Sequence, residues 1–255
     1  MRKFAFLLLI AIMPFQAFSQ DDRLDEFTFE EEEYKQDRKY FGIGGGYSGS
    51  FFMNELTGVN DFMTNNNFGL DELNNNVYHH GVELMSSTVI IPNTRIGFFR
   101  YAGAQESTED FEINGDNVTR RAEYASFMTG VPLEYIFMPF KSFAIIPGIG
   151  LGYGTVDFEI SQAPGKVDAG NIGPAADGNS YIHKINSSYF FAAPRLNIEY
   201  AVSQFTVVRL GAYYLTSFSY DWQYNKEAAA NNVPSDMENN GYAIQIGLYI
   251  GLFNY

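Results

Sequence analysis

The 255-residue chain has no cysteine, a single tryptophan, three histidines, and only 16 Lys and Arg against 30 Asp and Glu. Without cysteine there are no disulfides, no thiolate metal sites and no lipid anchor on an N-terminal thiol. A formal charge of −14 removes the basic stripe that phosphate binding needs, so nucleic acid is excluded as a partner. Mean hydropathy is slightly polar, at −0.16. A bundle of membrane helices needs apolar runs of roughly 20 residues, and this composition does not supply them.

What the chain does have is aromatic residues, 24 Phe and 18 Tyr, together 17% with the lone Trp. High aromatic content at low overall hydropathy suits a membrane β-barrel, where only alternate residues meet lipid. Nothing in the length requires more than one domain.

Residues 1–19 read as a signal peptide. Arg2 and Lys3 form the positive start, Phe4 to Met13 the short apolar stretch, and Ala17-Phe18-Ser19 the small-residue cleavage region. Cleavage removes those two cations and takes the formal charge from −14 to −16. Residues 20–38 are acidic with few apolar anchors, the composition of a solvated tail, and 39–255 form the barrel domain.

The last fifteen residues carry the clearest strand pattern. Ile244, Ile246, Leu248, Ile250 and Leu252 make one continuously apolar face; Ala243, Gln245, Gly247, Tyr249 and Gly251 make the other. Such contrast at period two requires a different solvent on each side of the strand. The same alternation recurs at about 40–53, 82–91, 95–113, 120–138, 142–160, 185–200 and 205–224, giving eight strands. Long connections (54–79, 161–182, 225–239) alternate with short ones (92–93, 139–141, 202–204), with 113–118 intermediate. Within 54–79, Leu56, Val59, Phe62 and Met63 fall at helical spacing. The expected fold is all-β: an eight-stranded antiparallel transmembrane β-barrel with long external loops.

With that leader, rhythm and aromatic C-terminus, residues 39–255 resemble the small eight-stranded outer-membrane barrels of the OmpX and OmpA-barrel kind. The resemblance implies the outer membrane of a Gram-negative bacterium, with the tail periplasmic and the long loops extracellular. It also implies an assembly signal on the terminal strand, carried by Leu248, Ile250, Leu252, Phe253 and Tyr255 and read by the outer-membrane assembly machinery. Phe253 and Tyr255 are out of phase with the apolar face, a departure from the group's pattern that a bulge near Asn254 would reconcile.

If the apolar faces meet lipid, the inward set includes Glu83, Arg100, Glu134, Arg195, Glu199 and Arg209. Lipid-facing Arg or Lys near the midplane costs roughly 2–4 kcal/mol, which favours an inward, mutually paired set. An eight-stranded lumen is about filled by its own side chains, so a general porin is not expected. Tyr78, Tyr101, Tyr153, Tyr189, Tyr214, Tyr220 and Trp222 fall near strand ends as candidate interfacial girdles.

Local motifs add little. Gly44 to Gly49 matches G-x-G-x-x-G by letters, but the surrounding strand offers no phosphate-binding helix. Asp110 to Asp116 begins like a calcium loop, yet Arg121 stands where the bidentate Glu belongs. No catalytic residue, metal site or cofactor is expected. The function expected is a non-enzymatic barrel whose external loops contact a protein or surface polymer, as an accessory subunit of an outer-membrane complex. The alternatives are a narrow channel, or a lipid-modifying enzyme built on His80, a loop Ser and Glu83.

Overall fold

In the computed structural model, the described residues are 40–113, 115–165 and 180–254; the expected signal peptide and acidic tail, most of the expected connection 161–182, and Tyr255 lie outside them. Eight strands form the wall: β1 Phe41–Met53, β2 Asn76–Ser87, β3 Thr94–Ile113, β4 Asp116–Tyr135, β5 Phe143–Pro164, β6 Tyr181–Ser203, β7 Thr206–Phe218 and β8 Gly241–Asn254. Each pairs antiparallel with the next, and β8 closes on β1 from Phe41↔Asn254 to Met53↔Tyr242. A short segment, Phe137–Phe140, pairs with the start of β5. The helix α1, Thr57–Asn65, lies in the connection between β1 and β2.

Register fixes the tilt. Partners followed once round from Ile43, through Ser86, Ile96, Leu133, Ile149 and Pro194, then across β7 at Tyr214 to Tyr242, return to β1 at Met53. That is ten positions above the start, a stagger that tilts eight strands by about 40°. Phe41 and Phe51 on β1, Phe143 and Tyr153 on β5, and Tyr200 and Phe190 on β6 are each ten residues apart on the outer face. Ten tilted strand residues span about 25 Å, the height of a lipid-facing band between two aromatic girdles. Between them the wall exposes Ile43, Leu84, Phe98, Leu133, Leu151, Leu196, Leu210 and the apolar face of β8.

The strands are not equal. β1, β2, β7 and β8 have 12 to 14 residues, whereas β3 to β6 have 20, 20, 22 and 23. A membrane strand needs about 9–11. The surplus rises past the girdle at the long-loop end, and there the outer face turns polar: Glu106, Thr108 and Asp110 on β3, Arg121 and Glu123 on β4, Asp157 and Glu159 on β5. Arg121 bridges Glu106 and Glu123 at 2.5 and 2.7 Å, and Lys184 meets Asp157 at 3.0 Å, all partly exposed.

Some expected boundaries shift. β2 stops at Ser87 and a six-residue connection, 88–93, replaces the two-residue turn. It leaves Val89 and Ile90 almost wholly exposed. Pro92 and the positive-φ Asn93 close it. On the long-loop side, β3 and β4 run on until Ile113 pairs with Asp116. The pairing of β1 with β8 runs unbroken to Asn254, so no bulge realigns the terminus. Phe253 points inward, buried with Met85, Val207 and Tyr249, while Leu248, Ile250 and Leu252 face out.

Candidate functional site: a sealed lumen under a fixed cap

The lower lumen holds three guanidinium groups and three carboxylates in one closed ring. Arg95 meets Glu134 through Nε and Glu199 at 2.7 Å. Arg195 meets Glu134 at 3.2 Å and Glu83 at 3.0 Å. Arg209 meets Glu83 at 2.7 Å and Glu199 at 2.6 Å. Every carboxylate therefore lies between two cations and every cation between two carboxylates. Remaining lone pairs are used as well: Tyr101 and Tyr249 donate to Glu83 at 3.0 and 2.7 Å, and Asn197 donates to Glu134 at 2.8 Å. The ring is neutral, and Arg95 and Arg209 hydrogen-bond their carboxylates, whereas Arg195 meets Glu83 and Glu134 in ion-pair contact without a well-aligned hydrogen bond; charge balance is the condition under which such a set can be buried. The facing strand makes room through Gly148, where a Cβ would come within 2.6 Å of Glu134 Cγ.

Five of the six expected lumen charges belong to this ring: Glu83, Glu134, Arg195, Glu199 and Arg209. Arg100 does not. It lies on the lipid-facing side of β3, its guanidinium 4.8 Å from the Phe127 ring centroid. The sixth member is Arg95, five residues earlier and therefore on the opposite face. A long Arg side chain below the upper girdle reaches the interface, which makes the outward position of Arg100 tolerable.

The ring is covered by apolar layers. Tyr40, Ile136, Ala144 and Ile146 close the short-turn end. Phe99, Tyr101, Met128, Phe191 and Tyr213 fill the lumen on the other side. A cavity of about 10 Å³ beside Arg195 and Gln245 has room for one water. This interior is a packed core.

The long-loop end is packed too. The inner faces of the extended strands present Val118, Tyr124, Val156, Phe158 and Ile160, and α1 and the residue before it lay Leu56, Val59 and Met63 in the same buried cluster as Tyr124, Val156, Phe158 and Ile160. Asp236, in the short 3₁₀ turn Ser235–Met237, accepts the Gly58 amide at 2.8 Å and so ties the β7–β8 connection to the first turn of α1. Asn60 both donates to the Leu73 carbonyl and accepts its amide, at 3.0 and 2.9 Å. The Asn239 amide donates to Tyr220 Oη at 2.7 Å, and burial pushes the Tyr220 phenol up to about 12. Tyr220 stacks on Trp222 at 5.2 Å.

Of the expected girdle aromatics, Tyr78, Tyr153 and Tyr214 face outward. Tyr101 and Tyr189 point into the lumen, and Tyr220 and Trp222 belong to the cap. The loop rings Phe62, Phe68 and Tyr224 line a cavity of about 250 Å³ with His183, whose Nδ1 lies 2.6 Å from Tyr224 Oη. The catalytic grouping drawn through His80 is not assembled, because His80 faces outward and Glu83 inward. The inward histidine is His79, 2.6 Å from Ser126 Oγ and fully buried.

Among the described residues, no group of three or more His, Cys, Asp or Glu is arranged to hold a metal. Sequence reasoning missed Arg95, the tie between positions 236 and 58, and the pairing of Tyr214 with Tyr242 at the outer rim.

No described protein family and no curated protein matches the chain. Solved structures do resemble it. The attachment invasion locus protein Ail of Yersinia pestis, solved with the heparin analogue sucrose octasulfate, is 12% identical, with 85% of this chain and 99% of that one covered and a TM-score of 0.33. A major outer membrane protein of Thermus thermophilus is 8% identical over 83% and 99%, with a TM-score of 0.42. The Escherichia coli outer membrane protease OmpT is 8% identical over 86% and 98%, with a TM-score of 0.33. By its closed sheet, its stagger and its lipid-facing band, this chain is a small eight-stranded barrel of the outer-membrane type.

Proposed function

We propose that the protein is a non-enzymatic component of a Gram-negative outer membrane whose long-loop end faces outward and makes contact with a protein or surface polymer. One observation carries the reading. The connections 54–75 and 219–240 are tied to each other by Asp236 and Gly58 and pinned within themselves by Asn60 and Tyr220, while Asn239, donating to Tyr189 Oη at 2.5 Å, and the buried Met237 hold them to the extended strands. Loops of this length that are held in one conformation lose little entropy on binding, which is what preorganised recognition requires. The filled lumen argues against conduction, since ions would have to cross the charge ring and both apolar layers. The acidic tail would lie in the periplasm, and the terminal strand would engage the assembly machinery.

Gentle detergent extraction of native outer membranes, with the particle mass and companions identified, tests this. Reproducible companions that are lost when cap residues are changed support the contact role. A lone barrel whose deletion leaves the surface unaltered contradicts it. A third outcome, an altered lipid profile on changing His80 to Ala, would transfer the function to lipid chemistry.

A further inference from the structure

At the rim where loops 54–75 and 219–240 meet the upper girdle lies a cavity of about 590 Å³ that opens to solvent. Its volume is within the usual range of small-ligand pockets, about 300–1,000 Å³. Its base is aromatic. Tyr214 on β7 and Tyr242 on β8 are paired in register, their ring centroids 4.5 Å apart, and both are exposed. Its walls are amides and carboxylates, among them Glu55, Asn76, Asp236 and Glu238. Glu55 and Asn76 make no side-chain hydrogen bond among the described residues, so their acceptors and donors remain open to a ligand.

Resting on the reading of this end as a recognition surface, we infer that the cavity binds a saccharide, neutral or bearing an amine. A sugar ring has an apolar C–H face that lies against an aromatic ring, and an equatorial girdle of hydroxyls that pair with amides and carboxylates. Both halves of that requirement are present, side by side. The polar walls do not suit a purely apolar guest. The three carboxylates repel phosphate, sulfate and uronate, so an anionic sugar is disfavoured on charge alone. The walls are also held in place: Asp236 is fixed by Gly58, and Asn240 donates to Glu238 at 3.2 Å while accepting from Ser217. Because Tyr214 and Tyr242 belong to the girdle, the saccharide could be carried by an outer-leaflet lipid or be part of a free glycan.

The test uses the full chain folded in lipid nanodiscs, with N-acetylglucosamine, glucosamine and glucose 6-sulfate as probes followed by saturation-transfer NMR. Binding of the first two at millimolar concentration or better is expected, with the sulfate at least about tenfold weaker. The double variant Y214A/Y242A should weaken the neutral sugar by about tenfold, while Y214F/Y242F keeps the ring platform and most of the affinity. Glu55→Gln should reduce the preference for glucosamine over the sulfate. Vesicles carrying a neutral glycosyl diacylglycerol separate the two sources: tighter binding there than to the free sugar indicates a lipid-borne ligand, and equal binding a free glycan. Three results overturn the site: tightest binding of the sulfate, affinity unchanged in Y214A/Y242A, or no sugar bound by protein whose native electrophoretic mobility shows it folded. If, with any of these, the native companions are retained, the contact function stands and only the saccharide site fails.

Discussion

The lower and upper halves of β3 to β6 are built inside out with respect to each other. Below the upper girdle these strands turn Ile96, Leu133, Leu151 and Leu196 outward and hold Arg95, Glu134, Arg195 and Glu199 within. Above it they turn Glu106, Glu123, Asp157 and Glu159 outward and hold Tyr124, Val156, Phe158 and Ile160 within. Backbone, pairing and twist are continuous through the change. The outside medium switches from lipid to water, and the side chains exchange places accordingly. Among the described residues the fully buried charges all lie in the lipid-flanked half, and the upper half holds on its inner face the part-buried Arg120, bonded to Gln162 and the Phe68 carbonyl.

Breaking the lower half should have the largest effect. Glu199→Ala leaves Arg95 and Arg209 each short of a carboxylate inside the barrel, at a cost of about 3–5 kcal/mol. Urea unfolding in detergent micelles reads the loss, and restoration by a second change that removes one of the two arginines would show that charge balance is the cause. The next effect sets the halves directly against each other. Leu210→Arg, on the outer face between Phe205 and Tyr214, should cost about 2–4 kcal/mol. Glu159→Arg, on the outer face above the girdle, should change stability by no more than about 0.5 kcal/mol. Equal costs in the same unfolding assay would mean the two positions share one solvent.

Much of this division was legible in the sequence, because most strands carry strong contrast at period two. The terminal strand, with Ile and Leu on one side and Gly, Gln and Tyr on the other, fixes its own phase. β3 does not. Ile96 and Phe98 on one face are matched by Phe99 and Tyr101 on the other, so the strand alone cannot say which face is lumen, and Arg95 and Arg100 compete for the ring. Pairing with Glu134 across the register settles it. The odd separation of His80 and Glu83 already places them on opposite faces, whatever the phase. Of the cap only its helix was legible, from the spacing of Leu56, Val59, Phe62 and Met63. Its tie between Asp236 and Gly58 joins residues 178 apart in sequence, and no local pattern encodes that contact.

Smaller changes probe the upper half alone. Asp236→Ala removes the acceptor at the start of α1 and should cost the cap about 1 kcal/mol, by analogy with the loss of a helix cap. Faster amide exchange over α1 with unchanged exchange in β1 and β8 is the expected signature. The smallest effect is in alkali. With the Tyr220 phenol raised by burial to about 12, its contribution is fully present below the ordinary tyrosine value of about 10 and is lost as pH rises from there through 12. The Asn239 amide should lose protection in that window, and Tyr220→Phe should remove the dependence.

The absence of cysteine gives the comparison its most direct test. Single cysteines placed along the outer face of β5, at positions 147, 149, 151, 157, 159 and 161, can be challenged on intact cells with a membrane-impermeant maleimide. Labelling is expected at 157, 159 and 161 and none at 147, 149 and 151, with the boundary just above Tyr153. Labelling at the lower three, or labelling of the upper three only after the outer membrane is broken, would contradict it.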